Sequence, residues 1–135
     1  MNITNIMSSR IVTIEMDDTL KSVKEIFDNT QFHHLLVISN NKLCGIISDK
    51  DLLKTLSPNL GTLAESTNDL SSLNKKAHQI MTRHPISISD KATINEAIML
   101  FNKHKLSCFP VIDEEKNPAG ILSWRDIFKA LEREI

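Results

Sequence analysis

The sequence predicts an α+β fold in which one β-α-β-β-α unit is written twice along 135 residues. Three observations carry that expectation. First, the chain aligns with itself when Ile6 is laid on Ile80. Met7/Met81, Thr19/Thr93, Phe27/Phe101, Val37/Val111, Gly45/Gly120, Ser48/Ser123 and Asp51/Asp126 then recur in one order, with a single residue inserted in the second copy's turn. Chance does not keep such a series in step across two runs of about fifty residues. Second, extended and amphipathic stretches alternate in the same order in both copies. Third, 41% hydrophobic and 24% charged residues are the proportions of a folded globular chain. A unit this short would hardly bury a core alone, so the two copies are expected to share one.

Each element has a local reason. Residues 11–14 and 86–88 are short extended pieces that lead into polar turns. An amphipathic helix follows over 19–30, because Leu20, Val23, Ile26 and Phe27 fall on one face at i, i+3, i+6 and i+7. Ile94, Ala97, Ile98 and Phe101 repeat that face, and Asp18 or Thr19 is suited to cap the first helix. Residues 35–39 and 43–48 are β-rich runs joined by "NNK", which suits a hairpin; copy two has "FPVID", "EEKNP" and "AGILS". Short helices over 49–56 and 124–131 close the units. The chain therefore reads as a single domain over 1–135, with one motif at 3–56 and the other at 77–131. Between them, 57–76 is rich in Ser, Thr and Asn and reads as a linker with room for one helical turn.

Bulk properties narrow the function. Sixteen basic and seventeen acidic residues leave a net charge of −1, which gives no concentrated basic face for nucleic acid or an anionic membrane. Aromatic residues make up 4% of the chain, with no Tyr and one Trp, too few for a base-stacking platform. No apolar run approaches the roughly 18 residues that span a bilayer. The start, "MNITNIMSSRIVTIE", lacks the basic flank and apolar centre of a signal peptide, so a cytoplasmic location is expected. Cys44 and Cys108 lie in apolar contexts without C-x-x-C spacing and are expected to be reduced, buried thiols. His33 and His34 would diverge on an extended strand and find no third metal ligand at suitable spacing. There is no G-x-S-x-G, P-loop, G-x-G-x-x-G or H-E-x-x-H, and three glycines cannot build a phosphate-cradling loop, so the chain is not expected to be an enzyme.

"GIISDKDLL" and "GILSWRDIF" remain, and they carry the candidate site. Ser-x-x-Asp before an apolar run is the pattern of a helix capping box. With the "IM" start, the "PV" strand and this G-h-h-S-x-x-D finish arranged in order, the chain resembles a tandem pair of cystathionine-β-synthase (CBS) motifs, the stand-alone module called a Bateman domain. The resemblance implies two motifs packed about a pseudo-twofold axis, with clefts that hold adenosine-containing ligands such as AMP, ADP, ATP or S-adenosylmethionine. It implies a regulatory module with an adenine nucleotide as ligand and no required cofactor. A homodimer and an unidentified effector protein are the expected partners. The alternative is a dimerisation or protein-interaction module whose clefts stay empty.

The resemblance also distributes roles. Asp51 and Asp126 would accept hydrogen bonds from ribose hydroxyls, and Ser48 and Ser123, at helix starts, would face the phosphate. The capping-box role for the same residues stays open beside this. Val12, Ile86, Ser107 and Cys108 fall at adenine-pocket positions, while His33, His34, Arg125 and Lys50 fall on the phosphate side. In the family one site combines the S-x-x-D of one motif with the base pocket of the other. That pattern would pair Asp126 with Val12, His33 and His34, and Asp51 with Ile86, Ser107 and Cys108. The two histidines would make the first grouping the better place for a phosphorylated ligand. Met7 and Met81 read as core residues, Trp124 as packing or an oligomer contact, and Glu114-Glu115 as a solvated turn. Pro110 is the family's residue at its position, where copy one has Leu36.

Overall fold

Thr19, not Asp18, starts the first long helix. Its hydroxyl accepts from the Ser22 amide at 3.3 Å, whereas the Asp18 carboxylate turns back to the Glu15 amide at 2.8 Å. The protein is seen as a computed structural model that describes residues 1–134. They form the expected α+β arrangement in two compact units, one made of Val12–Asn40 and Cys44–His84, the other of Met1–Ile11, Asn41–Leu43 and the chain from Pro85 onward.

In the first of these, strand β1 (Thr13–Glu15) leads to helix α1 (Leu20–Asn29), strands β2 (His34–Ser39) and β3 (Lys42–Ser48), and helix α2 (Asp49–Thr55). β1 lies parallel to β2, with Ile14 opposite Val37. β2 reaches β3 through Asn40 and Asn41, whose φ angles of 52° and 64° make the left-handed pair of a two-residue hairpin turn. On the apolar face of α1, Leu20 and Val23 are fully buried in one cluster with Leu35, Val37 and Ile47 of the sheet, while Ile26 and Phe27 are partly buried against it. The stretch after α2 holds a short helix, α3 (Thr67–Ser71), capped by Ser66 and tied back to Ser57 through Asp69 at 2.5 Å, which runs on into a 3-10 turn over Ser72–Asn74. It ends against α1, where the Leu20 amide donates to the Lys75 carbonyl at 2.8 Å.

Helix α4 (Ala77–Ile80) and strand β4 (Thr82–Arg83) complete this unit, although they begin the second copy of the repeat. The repeat's order does not announce β4. It pairs antiparallel with β3, Gly45 opposite Arg83, and gives a sheet in the order β1-β2-β3-β4.

The other unit repeats the plan with strand β5 (Ile88–Ser89), helix α5 (Ile94–Lys103), strands β6 (Cys108–Ile112) and β7 (Pro118–Ser123), and helix α6 (Trp124–Glu134). Its sheet runs β5-β6-β7, with a register irregularity at Val111/Ile112. Its leading piece is borrowed from the first copy. Ile3 is fully buried in this core, and Ser8 and Ile121 exchange two backbone hydrogen bonds of 2.9 Å. A single shared core was expected; the structure has two clusters instead. The physical reason is the exchange itself: Ala77 and Met81 join the first cluster, and Ile3, Ile6 and Met7 the second, so each short unit gains the apolar residues it lacks.

Glycine marks both crossings. A Cβ at Gly45 would stand 2.4 Å from Met81 Sδ, and one at Gly120 would stand 2.6 Å from the Ser8 carbonyl oxygen. Among the described residues, no helix is long and apolar enough to cross a membrane.

Candidate functional site

Both Ser-x-x-Asp turns form the reciprocal cap that the pattern encodes. Ser48 Oγ accepts from the Asp51 amide at 3.1 Å, and Asp51 Oδ2 accepts from the Ser48 amide at 2.9 Å. Ser123 and Asp126 repeat this at 3.2 and 2.8 Å. Each carboxylate thus has one oxygen pinned to the backbone. Oδ1 of Asp51 and of Asp126 takes no hydrogen bond among the described residues, and both side chains are half-buried. An ionised carboxylate offers about four acceptor positions. One is used here, so capping holds each group still and leaves it able to accept more.

The loop before each hairpin is clamped to the same turn. The Asp49 amide donates to the His33 carbonyl at 3.0 Å, and the Trp124 amide donates to the Ser107 carbonyl at 3.2 Å. These bonds bring His33 and His34 beside Ser48 and Asp51, and Ser107 and Cys108 beside Ser123 and Asp126.

The two histidines part company, as neighbours on a strand must. His33 is exposed, and its Nδ1 lies 2.9 Å from Asp49 Oδ2, at the rim of a pocket of about 260 Å³ walled by Phe27, Leu52, Leu53 and Leu56. His34 is half-buried. Burial lowers its pKa, with Asp49 acting in the opposite sense, and the bond from His33 holds the Asp49 carboxyl below the usual carboxylate range.

Cys108 faces Ser123 across the β6–β7 ladder, and burial, helped by the Asp126 charge, pushes its thiol up to about 11. Cys44 and Cys108 are both free thiols, and they are half-buried rather than buried as their apolar contexts led one to expect. Native Cys108 keeps its proton where an unfolded thiol, at 9.0, would lose it. Its contribution is therefore complete below pH 9 and lost as pH rises through 11, and it amounts to about 3 kcal/mol over that window. Urea midpoints measured from pH 8 to 11 should fall, and Cys108→Ala should flatten that part of the curve.

The remaining expected residues are placed as follows. Val12 packs against the first core, and its carbonyl accepts from the Leu36 amide at 3.1 Å, a bond Pro110 cannot make at the matching place. Ile86 is 36% exposed and Ser107 is exposed. Lys50 and Arg125 are exposed and form no ion pair among the described residues. Val12, His33, His34, Ser48, Lys50 and Asp51 thus lie in one unit, and Ile86, Ser107, Cys108, Ser123, Arg125 and Asp126 in the other. Trp124 meets Phe128 edge-on at 5.3 Å, and Glu114, in its exposed turn, pairs with Lys91. Sequence reasoning missed Asp49. The signal was present, since the repeat sets His33 with Asp49 against Ser107 with Trp124.

The CBS domain family profile matches residues 3–58 and 77–133. A CBS domain-containing protein of Dictyostelium discoideum is 31% identical over 128 residues, 93% of this chain and 88% of that protein. An uncharacterized protein of Methanocaldococcus jannaschii is 25% identical over 130 residues, and there the match spans 92% of this chain and only 46% of the relative. Three solved structures share the fold. CBSX2 from Arabidopsis thaliana, in complex with AMP, superposes with a TM-score of 0.77 at 23% identity, covering 98% of this chain and 96% of its own. The CBS domain pair of protein MJ0100, in complex with 5′-methylthioadenosine and S-adenosyl-L-methionine, gives 0.76 at 21%, covering 100% and 98%. The cytosolic domain of the Mg²⁺ channel MgtE, in complex with ATP, gives 0.74 at 18%, covering 96% and 48%.

Proposed function

This chain belongs to the CBS-domain family, with two motifs in tandem, and we propose that it is a regulatory module that binds an adenosine-containing ligand of the AMP, ADP or ATP class. One observation carries the reading: Asp51 and Asp126 each have one oxygen fixed by a backbone amide and the other without a partner among the described residues. That is a pre-set acceptor pair for the vicinal hydroxyls of a ribose. Ser48 and Ser123 stand beside them on the phosphate side, with His33, His34, Lys50 and Arg125. Val12, Ile86, Ser107 and Cys108 supply the walls for the base. The ligands named for CBSX2, MgtE and the MJ0100 pair all contain adenosine, which supports the class and leaves the member of the class to experiment.

Binding regulates only if the ligand prefers one of two conformations, so the module acts through an effector protein that reads the difference. Two free thiols fit a reducing, cytoplasmic setting. Thermal-shift and calorimetric screening against AMP, ADP, ATP and S-adenosylmethionine tests the proposal. A rise in melting temperature that Asp126→Ala removes supports it.

A second reading, a dimerisation or protein-docking module with empty clefts, is favoured by one feature. Trp124, Phe128 and Leu131 are 47, 59 and 41% exposed at i, i+4 and i+7 along α6. A stable homodimer with no response to any of these ligands would support it.

A further inference from the structure

The two copies share one backbone clamp but dress it differently, and the difference falls where the proposed ligand carries its phosphate. Copy two has Ser107 and Trp124 at the clamp; copy one has His33 and Asp49, with Nδ1 and Oδ2 2.9 Å apart. Four titratable side chains gather there, His33 and His34 at the entry to β2 and Asp49 and Asp51 in the first turn of α2. Lys50 lies between the two carboxylates in the chain and forms no ion pair among the described residues. On α1, Lys24 is already committed to Asp28 at 2.5 Å.

We propose that Asp49 is a specificity-determining residue that limits the charge of the ligand accepted at the histidine end, admitting an adenosine ligand with one phosphate or none and disfavouring polyphosphates. The inference rests on the adenosine-ligand reading above. A phosphate approaching His33 competes with the Asp49 carboxylate for the same imidazole. Every further negative charge on the ligand adds repulsion from Asp49 and Asp51. The bond from His33 holds the Asp49 carboxyl below the usual carboxylate range, so it keeps its negative charge beside the imidazole, and burial shifts the half-buried His34 toward its neutral form. For charges about 6 Å apart at an effective dielectric of about 40, each additional ligand charge weakens binding by roughly tenfold.

The experiment is calorimetric titration of AMP and of magnesium-free ATP into the wild-type chain, Asp49→Asn and Asp49→Glu, at low and high ionic strength. Wild type should bind AMP at least about tenfold more tightly than ATP, and salt should narrow the gap. Asp49→Asn should tighten ATP by roughly tenfold and AMP by less, while Asp49→Glu, which keeps the charge, should keep the preference. The unliganded melting temperature should barely move, because an exposed pair contributes little to folding. The inference is overturned if wild type binds these ligands but prefers ATP, or if Asp49→Asn leaves the ATP-to-AMP ratio unchanged. If wild type binds neither nucleotide nor S-adenosylmethionine, the adenosine reading itself fails and takes this inference with it.

Discussion

Phe109→Ala should lower the unfolding free energy by about 3–5 kcal/mol, a large share of the 5–15 kcal/mol that holds a typical domain together. Phe109 sits in β6 with no exposed surface, opposite Leu122. Its ring lies 4.5 Å from Phe101 at a tilt of 48°, with the His104 ring edge-on at 6.5 Å. Truncation removes the apolar area, the Phe101 contact and the filler of the space between α5 and the sheet. Neighbours fixed in a three-stranded sheet cannot collapse into that space, so the cavity cost is added to the transfer cost. Chemical denaturation followed by the fluorescence of Trp124 reports the change. Phe109→Leu should recover most of the loss. A cost below about 1 kcal/mol for the alanine variant would mean this cluster is not the core of its unit.

Gly120→Ala is the second large effect, and its origin is geometric. The new Cβ would lie 2.6 Å from the Ser8 carbonyl oxygen and 2.8 Å from Met7 Sδ. That carbonyl cannot retreat, because it accepts the Ile121 amide at 2.9 Å while the Ser8 amide donates to the Ile121 carbonyl at 2.9 Å. Either the leading segment leaves its place beside β7 or the strand distorts. We expect a loss of about 2–3 kcal/mol. Gly45→Ala should cost less, since its nearest obstacles are Met81 Sδ at 2.4 Å and Cγ at 2.9 Å, atoms of a flexible side chain. In a double-mutant cycle, Gly45→Ala and Met81→Ala should therefore couple, while Gly120→Ala and Met7→Ala should leave most of the glycine cost in place. Equal costs at the two glycines would contradict this account of why both copies carry one.

Much of this was legible because the repeat doubles every local signal. The α1 face of Leu20 and Val23, the Asn-Asn turn and the Ser-x-x-Asp caps all depend on neighbours within a few residues, and they fold as their spacing says. The exchange of leading segments was not legible in the same way. A two-residue strand such as Thr82–Arg83 has no period to read, and nothing local says which sheet it joins. The only trace was tertiary, in the Gly45–Met81 and Gly120–Met7 contacts, where a missing side chain on one segment makes room for a long one on another. Asp49 escaped notice for a similar reason. Its partner His33 lies sixteen residues away, and at the first position of a short helix an aspartate already has a sufficient structural reason to be there.

On the proposed reading, the pinned carboxylates of Asp51 and Asp126 in the two Ser-x-x-Asp turns accept from the hydroxyls of a ribose. Isothermal titration of AMP into the wild-type chain, Asp126→Ala and Asp51→Ala tests it most directly. Loss of two hydrogen bonds to a charged acceptor at about 1.5 kcal/mol or more each should weaken binding by roughly 100-fold or beyond in at least one variant. The capping loss of about 1 kcal/mol should appear separately, as a lower melting temperature without ligand. Full retention of affinity in both variants, for a ligand the wild type binds, would contradict the claim.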